Sequence, residues 1–153
     1  MSSIIENIAT LQRNVFVLAP LLVSFYKNMK PREKNVLLAY FVFPLVLNNE
    51  FKTKIKTFKA NSNMSRITKD KDVMAGFEDR FYFYYDMTNK CLQYAIDCNW
   101  IKINEDLSVS VMGANCMLSD PDLKDSYSLV SKLYKIFNKD VVNTYYAFGI
   151  KGL

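Results

Sequence analysis

The run Val36-Leu37-Leu38-Ala39-Tyr40-Phe41-Val42-Phe43-Pro44-Leu45-Val46-Leu47 holds twelve residues without a charge. A helix that spans a bilayer needs about 20 such residues. The run is therefore too short for a membrane and too apolar for water, and it belongs in a core or a partner interface. A helix that is apolar on every side is a buried helix. Pro44 has no N–H and clashes with the preceding turn, so it is expected to bend or end that helix. Asn48-Asn49 then supplies stop chemistry. The other long apolar run, Val15–Val23, has nine residues including Pro20. No membrane span is read, and Glu6 and Asn7 interrupt any signal-peptide pattern at the N-terminus. The cytoplasm is the expected compartment.

A chain of 153 residues, half of them apolar, fits a single domain over 1–153. At that length roughly 68–70% of the unfolded chain's surface is buried. Residues 1–13 carry Ile4, Ile5, Ile8 and Leu11 at helical spacing and read as an arm, either flexible or at an interface. Asn14 can cap a helix from Val15 to about Met29, with Pro20 near its first turn or kinking it. Pro31 suits the first turn of the helix that carries the apolar run. Lys52, Lys54 and Lys56 alternate with Thr53, Ile55 and Thr57, a period of two that fits extended chain or a poorly patterned helix. Asn61-Ser62-Asn63 reads as a turn before a short helix. From Asp72 to Asn99 the spacing predicts helix, with Phe77, Phe81, Tyr84, Tyr85, Thr88, Leu92, Ala95 and Ile96 on one face. A break is expected near Gly76 or around Phe81–Tyr85.

The period then becomes two. Ile101 and Ile103, then Leu107, Val109 and Val111, alternate with polar residues around Asn104-Glu105-Asp106, which predicts a β-hairpin. Gly113 to Asp120 reads as loop. Asp120 or Asp122 starts a helix reaching about Asn138, with Leu129, Leu133, Ile136 and Phe137 inward. Asp140 caps a last short helix, Val141–Phe148, and Gly149 ends it. The expected class is α+β, mainly helical, with a helix followed by a hairpin over 82–112 in the manner of a winged helix.

Composition removes most chemistry. There is no histidine, which excludes Ser-His-Asp and Cys-His nucleophile systems and the H-E-x-x-H zinc site. The four glycines form neither phosphate-cradling motif. Cys91, Cys98 and Cys116 form no C-x-x-C pair and read as reduced, mostly buried thiols. Glu78-Asp79, Glu105-Asp106 and Asp120 with Asp122 are chain neighbours in turns or caps, whereas acid–base work needs carboxyls that converge in a cleft. No catalytic residue, metal ligand or cofactor site is expected, and the chain reads as a non-enzyme.

Two surfaces remain. Between Glu50 and Lys71 stand Lys52, Lys54, Lys56, Lys59, Arg66, Lys69 and Lys71 against Glu50 and Asp70, so this stretch holds the whole net charge of +5. Such a strip can neutralise phosphates or face an acidic partner; it can equally be a solvated face. Only Phe51 and Phe58 interleave, which is no base-stacking platform. The second surface is Phe81-Tyr82-Phe83-Tyr84-Tyr85. One helix face cannot bury five consecutive aromatics, so some meet a partner or a second core surface. The helix before the hairpin offers Asp86, Asn89, Lys90, Gln93 and Asp97, with no net positive charge. Groove-reading helices carry Arg, Lys, Asn or Gln at exposed positions, so a winged helix built this way is expected to dock protein.

The segment Leu37 to Asn48 resembles the signature of leading leucines followed by L-P-L-V-L-H in the middle component of bacterial three-component ABC systems, the Lamassu-like defence systems. Asn48 stands where the family commonly has histidine. A short polar helix around Met64–Thr68, an aromatic-rich helix into Thr88–Ile96, the hairpin Trp100–Val111 and the closing Tyr146-Ala147-Phe148-Gly149-Ile150 follow in the family's order. The similarity covers about Asn14 to Ile150. It implies a small non-enzymatic adaptor beside an SMC/Rad50-like ATPase and a separate effector, often a nuclease. In anti-phage or anti-plasmid defence the middle component bridges or restrains these two, and DNA is reached through the complex. The alternative class is a free-standing winged-helix DNA-binding regulator. That class needs positive charge between Tyr85 and Val111, and here it lies before them.

Overall fold

The computed structural model describes residues 15–57, 64–113, 124–137 and 139–152. The arm 1–13, the Asn14 cap, Phe58, Lys59, the Asn61–Asn63 turn, Cys116, and Asp120 and Asp122 as a helix start lie outside the described residues. The elements in order are α1 (Val15–Lys27), a 3-10 turn (Asn35–Leu38), α2 (Ala39–Val46), α3 (Asn49–Ile55), α4 (Ser65–Thr68), α5 (Lys71–Met74), α6 (Phe77–Phe83), α7 (Tyr85–Asp97), β1 (Ile101–Ile103), β2 (Val109–Val111), α8 (Lys124–Leu133) and α9 (Val141–Ala147). The architecture is mainly helical with one two-stranded antiparallel sheet among the described residues. No helix among them is long and apolar enough to cross a membrane.

The apolar run is buried, but it is not one helix. Its first residues form the 3-10 turn and only Ala39–Val46 is α-helical. The reason lies in the hairpin: Val36 N–H donates to the Leu107 carbonyl at 3.1 Å and Lys34 N–H to the Asp106 carbonyl at 2.9 Å. Lys34 takes a left-handed backbone with φ 64° to allow this. Pro44 sits inside α2, which stops soon after it. Asn48 does more than end a helix. Its side-chain oxygen accepts from Phe51 N–H at 2.9 Å, so it is the N-cap of α3. The alternating lysines are therefore helical, because Phe51 and Ile55, one turn apart, are the residues that bury.

Phe41 marks the centre of the core. Its ring lies 4.8 Å from Tyr145, 4.9 Å from Phe148, 5.3 Å from Phe81, 5.7 Å from Phe137 and 6.2 Å from Phe77. Tilted and edge-on pairs at such spacings each add about 0.5–1.5 kcal/mol beyond area burial. α1 continues through Pro20 and packs mainly against α7 and α8. The helical stretch from Lys71 breaks at both expected places, at Gly76 (φ 67°) and at Tyr84. Asn99, with φ 59°, ends α7 in the left-handed conformation and turns the chain into β1.

The hairpin pairs Ile101 with Val111, Lys102 with Ser110 and Ile103 with Val109. Its turn is closed by Leu107 N–H donating to Asn104 O at 2.9 Å, and Asp106 accepts from the backbone and hydroxyl of Ser108. α8 ends at Leu133, short of Asn138, yet Ile136 and Phe137 still reach the core through a further turn. α9 begins as expected, with the Asp140 carboxylate accepting from Asn143 N–H at 2.8 Å. Gly149, with φ 74°, follows its end.

Candidate interaction surfaces

The basic strip is built from three short helices. α3 packs against α5, and α4 against α5. Lys54 Nζ lies 2.8 Å from Asp70 Oδ2 and joins α3 to the cap of α5. Asp70 also accepts from the backbone N–H of Asp72 and Val73. The Lys54 bond, helped by Val73 N–H, holds the Asp70 carboxyl below the usual carboxylate range. Lys54 thus serves inside the fold. An ion pair near the surface contributes little to stability, so its main effect is placement. Lys56, Arg66, Lys69 and Lys71 are exposed and Lys52 is partly so, with Glu50 and Asp72 exposed in the same region. Of the seven basic residues singled out in the sequence, Lys54 is paired with Asp70, and Lys59 lies outside the described residues.

The five aromatics divide. Phe81 is wholly buried, Tyr84 and Tyr85 are half-buried, and Tyr82 and Phe83 are exposed. Tyr85 stacks on Tyr40 at 5.1 Å, and Tyr40 donates to Asn89 Oδ1. Burial, ahead of the repulsion from Tyr85, pushes the Tyr40 phenol upward; burial does the same to Tyr84. The Tyr82 hydroxyl donates to the Gly152 carbonyl at 2.7 Å. Of the five, only Tyr82 and Phe83 offer substantial surface to a partner.

Tyr82 also leads to a surface that sequence reasoning missed. Gly152 lines an open groove of about 590 Å³ together with Leu37, Val142, Tyr145, Tyr146 and Ile150. Val142 is 54% exposed and Tyr146 74% exposed, one turn apart on α9. Tyr145 turns inward, and its hydroxyl donates to the Leu37 carbonyl at 2.6 Å. Burial raises its pKa above the ordinary phenol range. The available signal was the doubling in Val141-Val142 and Tyr145-Tyr146. A short helix that buries the first residue of each pair leaves the second facing outward.

No group of three or more Cys, Asp or Glu side chains is placed to hold a metal among the described residues. Cys91 is fully buried, and burial pushes its thiol up to about 12; Cys98 is half-buried. Asp106 is held low by its hydrogen bonds to Ser108 and serves the hairpin turn. On α7 the exposed positions include Asp86, Lys90, Gln93 and Asp97, with Gln93 donating to Asp97 at 2.8 Å. That surface carries no cationic excess.

The family model described as ABC-three component (ABC-3C) system Middle Component 3 matches residues 2–152. No curated protein and no solved structure matches the chain significantly.

Proposed function

We propose, since the chain belongs to the Middle Component 3 family of ABC-three component systems, that it is the non-enzymatic adaptor of a Lamassu-like defence complex. In this reading it works in the cytoplasm beside an SMC/Rad50-like ATPase and bridges or restrains an effector, a nuclease by class, against phage or plasmid DNA. The observation that carries it is the family match over residues 2–152. Two features of the surface support it. Exposed Tyr82, Phe83, Val142 and Tyr146 give a protein partner apolar area to cover. The cations of Lys52, Lys56, Arg66, Lys69 and Lys71 suit DNA phosphates or an acidic subunit met within the complex.

The free-standing winged-helix regulator has the helix–hairpin order in its favour, α7 and then β1–β2. Against it stand the lack of net positive charge on α7, where Lys90 stands against Asp86 and Asp97 in the count, and a hairpin whose tip is tied down by Lys34 and Val36. Co-expression with the other two components of the system tests the adaptor reading. The three products are expected to co-purify, with this chain inactive by itself. A monomer that ignores both neighbours sinks the idea. Replacing Lys52, Lys56, Lys69 and Lys71 by Glu separates the two classes: assembly survives in an adaptor, whereas a regulator loses DNA binding altogether.

A further inference from the structure

We propose that the strip formed by α3, α4 and α5 contacts the phosphate backbone of duplex nucleic acid without reading its sequence. This rests on the adaptor reading for its setting, and it decides between the phosphates and the acidic subunit which that reading leaves open. Over residues 49–57 and 64–74, Lys52, Lys54, Lys56, Arg66, Lys69 and Lys71 stand against Glu50, Asp70 and Asp72, a net of +3. The whole chain carries +5, so more than half of its surplus stands on three short helices and their ends. Past Gly76 the sign changes, with Glu78 and Asp79 exposed at the start of α6, and this bounds the strip. Lys54 is spent on Asp70 at 2.8 Å, and that pair holds α3 beside α5. Lys52, Lys56, Lys69 and Lys71 have no ion-pair partner among the described residues. Lys52 and Lys56, one turn apart, share the flank of α3 away from Lys54.

What the strip lacks selects the partner. Phe51, Ile55, Met64, Ile67 and Val73 are at most 2% exposed, and every exposed residue described between Asn49 and Asp72 is polar. The centre of a protein interface is depleted of Lys and built on aromatic or apolar anchors seated in pockets. The strip offers no such anchor, whereas a phosphate backbone asks only for cations and polar donors. Binding a single strand takes exposed aromatics on which bases stack, and Phe51, the aromatic of these helices, is wholly buried. Reading base edges takes an element laid in the groove, and α3, the longest of the three helices, has seven residues. Contact through charge remains, and it favours a duplex for its charge density.

The test titrates the full chain with a short fluorescent duplex of arbitrary sequence between about 50 and 200 mM salt. Four unpaired lysines predict a slope of about −3 to −4 for log affinity against log salt. Lys52→Gln with Lys56→Gln, and separately Lys69→Gln with Lys71→Gln, are each expected to flatten that slope by about 2. Lys132→Gln with Lys135→Gln takes the same charge from the exposed end of α8 and is expected to leave it unchanged. Duplex RNA beside duplex DNA names the source of the phosphates: equal binding supports contact by charge alone, and a bias identifies the favoured duplex. An equal effect of the α8 pair overturns the location. A sequence preferred by more than about 10-fold, or a single strand bound as tightly as the duplex, overturns the mode. Polyglutamate that competes as well as the duplex at equal charge returns the strip to an acidic subunit. Co-purification with the other two components keeps the readings apart. A parent chain that assembles but binds no duplex overturns this proposal alone, and one that binds duplex but ignores both neighbours overturns the adaptor alone.

Discussion

Asn35 is a single polar residue with three tasks. It is 1% exposed, yet its side-chain oxygen accepts from Val109 N–H at 2.8 Å and its amide lies 3.8 Å from the Met29 sulfur. Its own carbonyl accepts from the Tyr26 hydroxyl at 2.9 Å. It thereby fastens the hairpin to the segment after α1. Removing the side chain would strand the Val109 N–H in a site that is 3% exposed. An unsatisfied buried donor costs about 1–3 kcal/mol, and the cavity adds to it. Asn35→Ala is expected to lower stability by about 2–3 kcal/mol in urea unfolding; a loss below about 0.5 kcal/mol would remove this account. Asn35 was not legible as a core residue. In the sequence it follows Lys34 and resembles loop or cap chemistry, and the partner that explains it is Val109, far along the chain. The basic residues show the same limit, since nothing local in Lys54 distinguishes it from Lys52 or Lys56 before Asp70 is placed beside it.

At the scale of elements, periodicity was readable wherever one face meets the core. Phe77, Phe81, Thr88, Leu92 and Ala95 are buried as their spacing requires. It misled where a helix is short. Around Lys52–Lys56 the alternation of charge is conspicuous, but the two buried anchors, Phe51 and Ile55, decide the geometry. The exposed ridge of α9 was hidden for a related reason: seven residues are too few for a period to stand out. Gly76 was legible as a break because glycine enters the left-handed region without steric cost. A Cβ there would meet only the Arg80 guanidinium, at 3.7 Å, so the penalty for alanine is backbone strain and not a clash. The strain of about 1–2 kcal/mol is partly offset by the stiffer unfolded chain. Gly76→Ala is expected to cost about 1 kcal/mol and Gly76→Asn less, measured by urea midpoint. An alanine variant as stable as the parent would contradict the φ of 67°.

For the whole molecule, composition sets the response to pH. With no histidine, the usual titration between pH 5 and 8 is missing. On the acid side, Asp70 and Asp106 are held below the ordinary 3.8. Their contribution is complete above that value and is lost as pH falls through their folded pKa values. On the alkaline side, burial raises Cys91 from 9.0 to about 12 and raises Tyr26, Tyr40, Tyr84 and Tyr145 above 10.0. The folded state then holds protons that the unfolded chain has released, so stability falls from pH 9.0 upward. The urea midpoint is expected to be flat from about pH 5 to about pH 8.5 and to drop on both sides, more steeply in alkali. A midpoint that moves between pH 5 and 8 would disprove this. The ring cluster around Phe41 has a consequence of another kind. Three of its neighbours, Phe137, Tyr145 and Phe148, are contributed by the last part of the chain. During synthesis at about 5–20 residues per second, Phe41 waits roughly 5–20 s before Phe148 is even translated. Through that interval Phe41, in the greasiest segment of the chain, lacks three of these five ring partners, and a nascent-chain chaperone is the natural shelter for it until translation is complete.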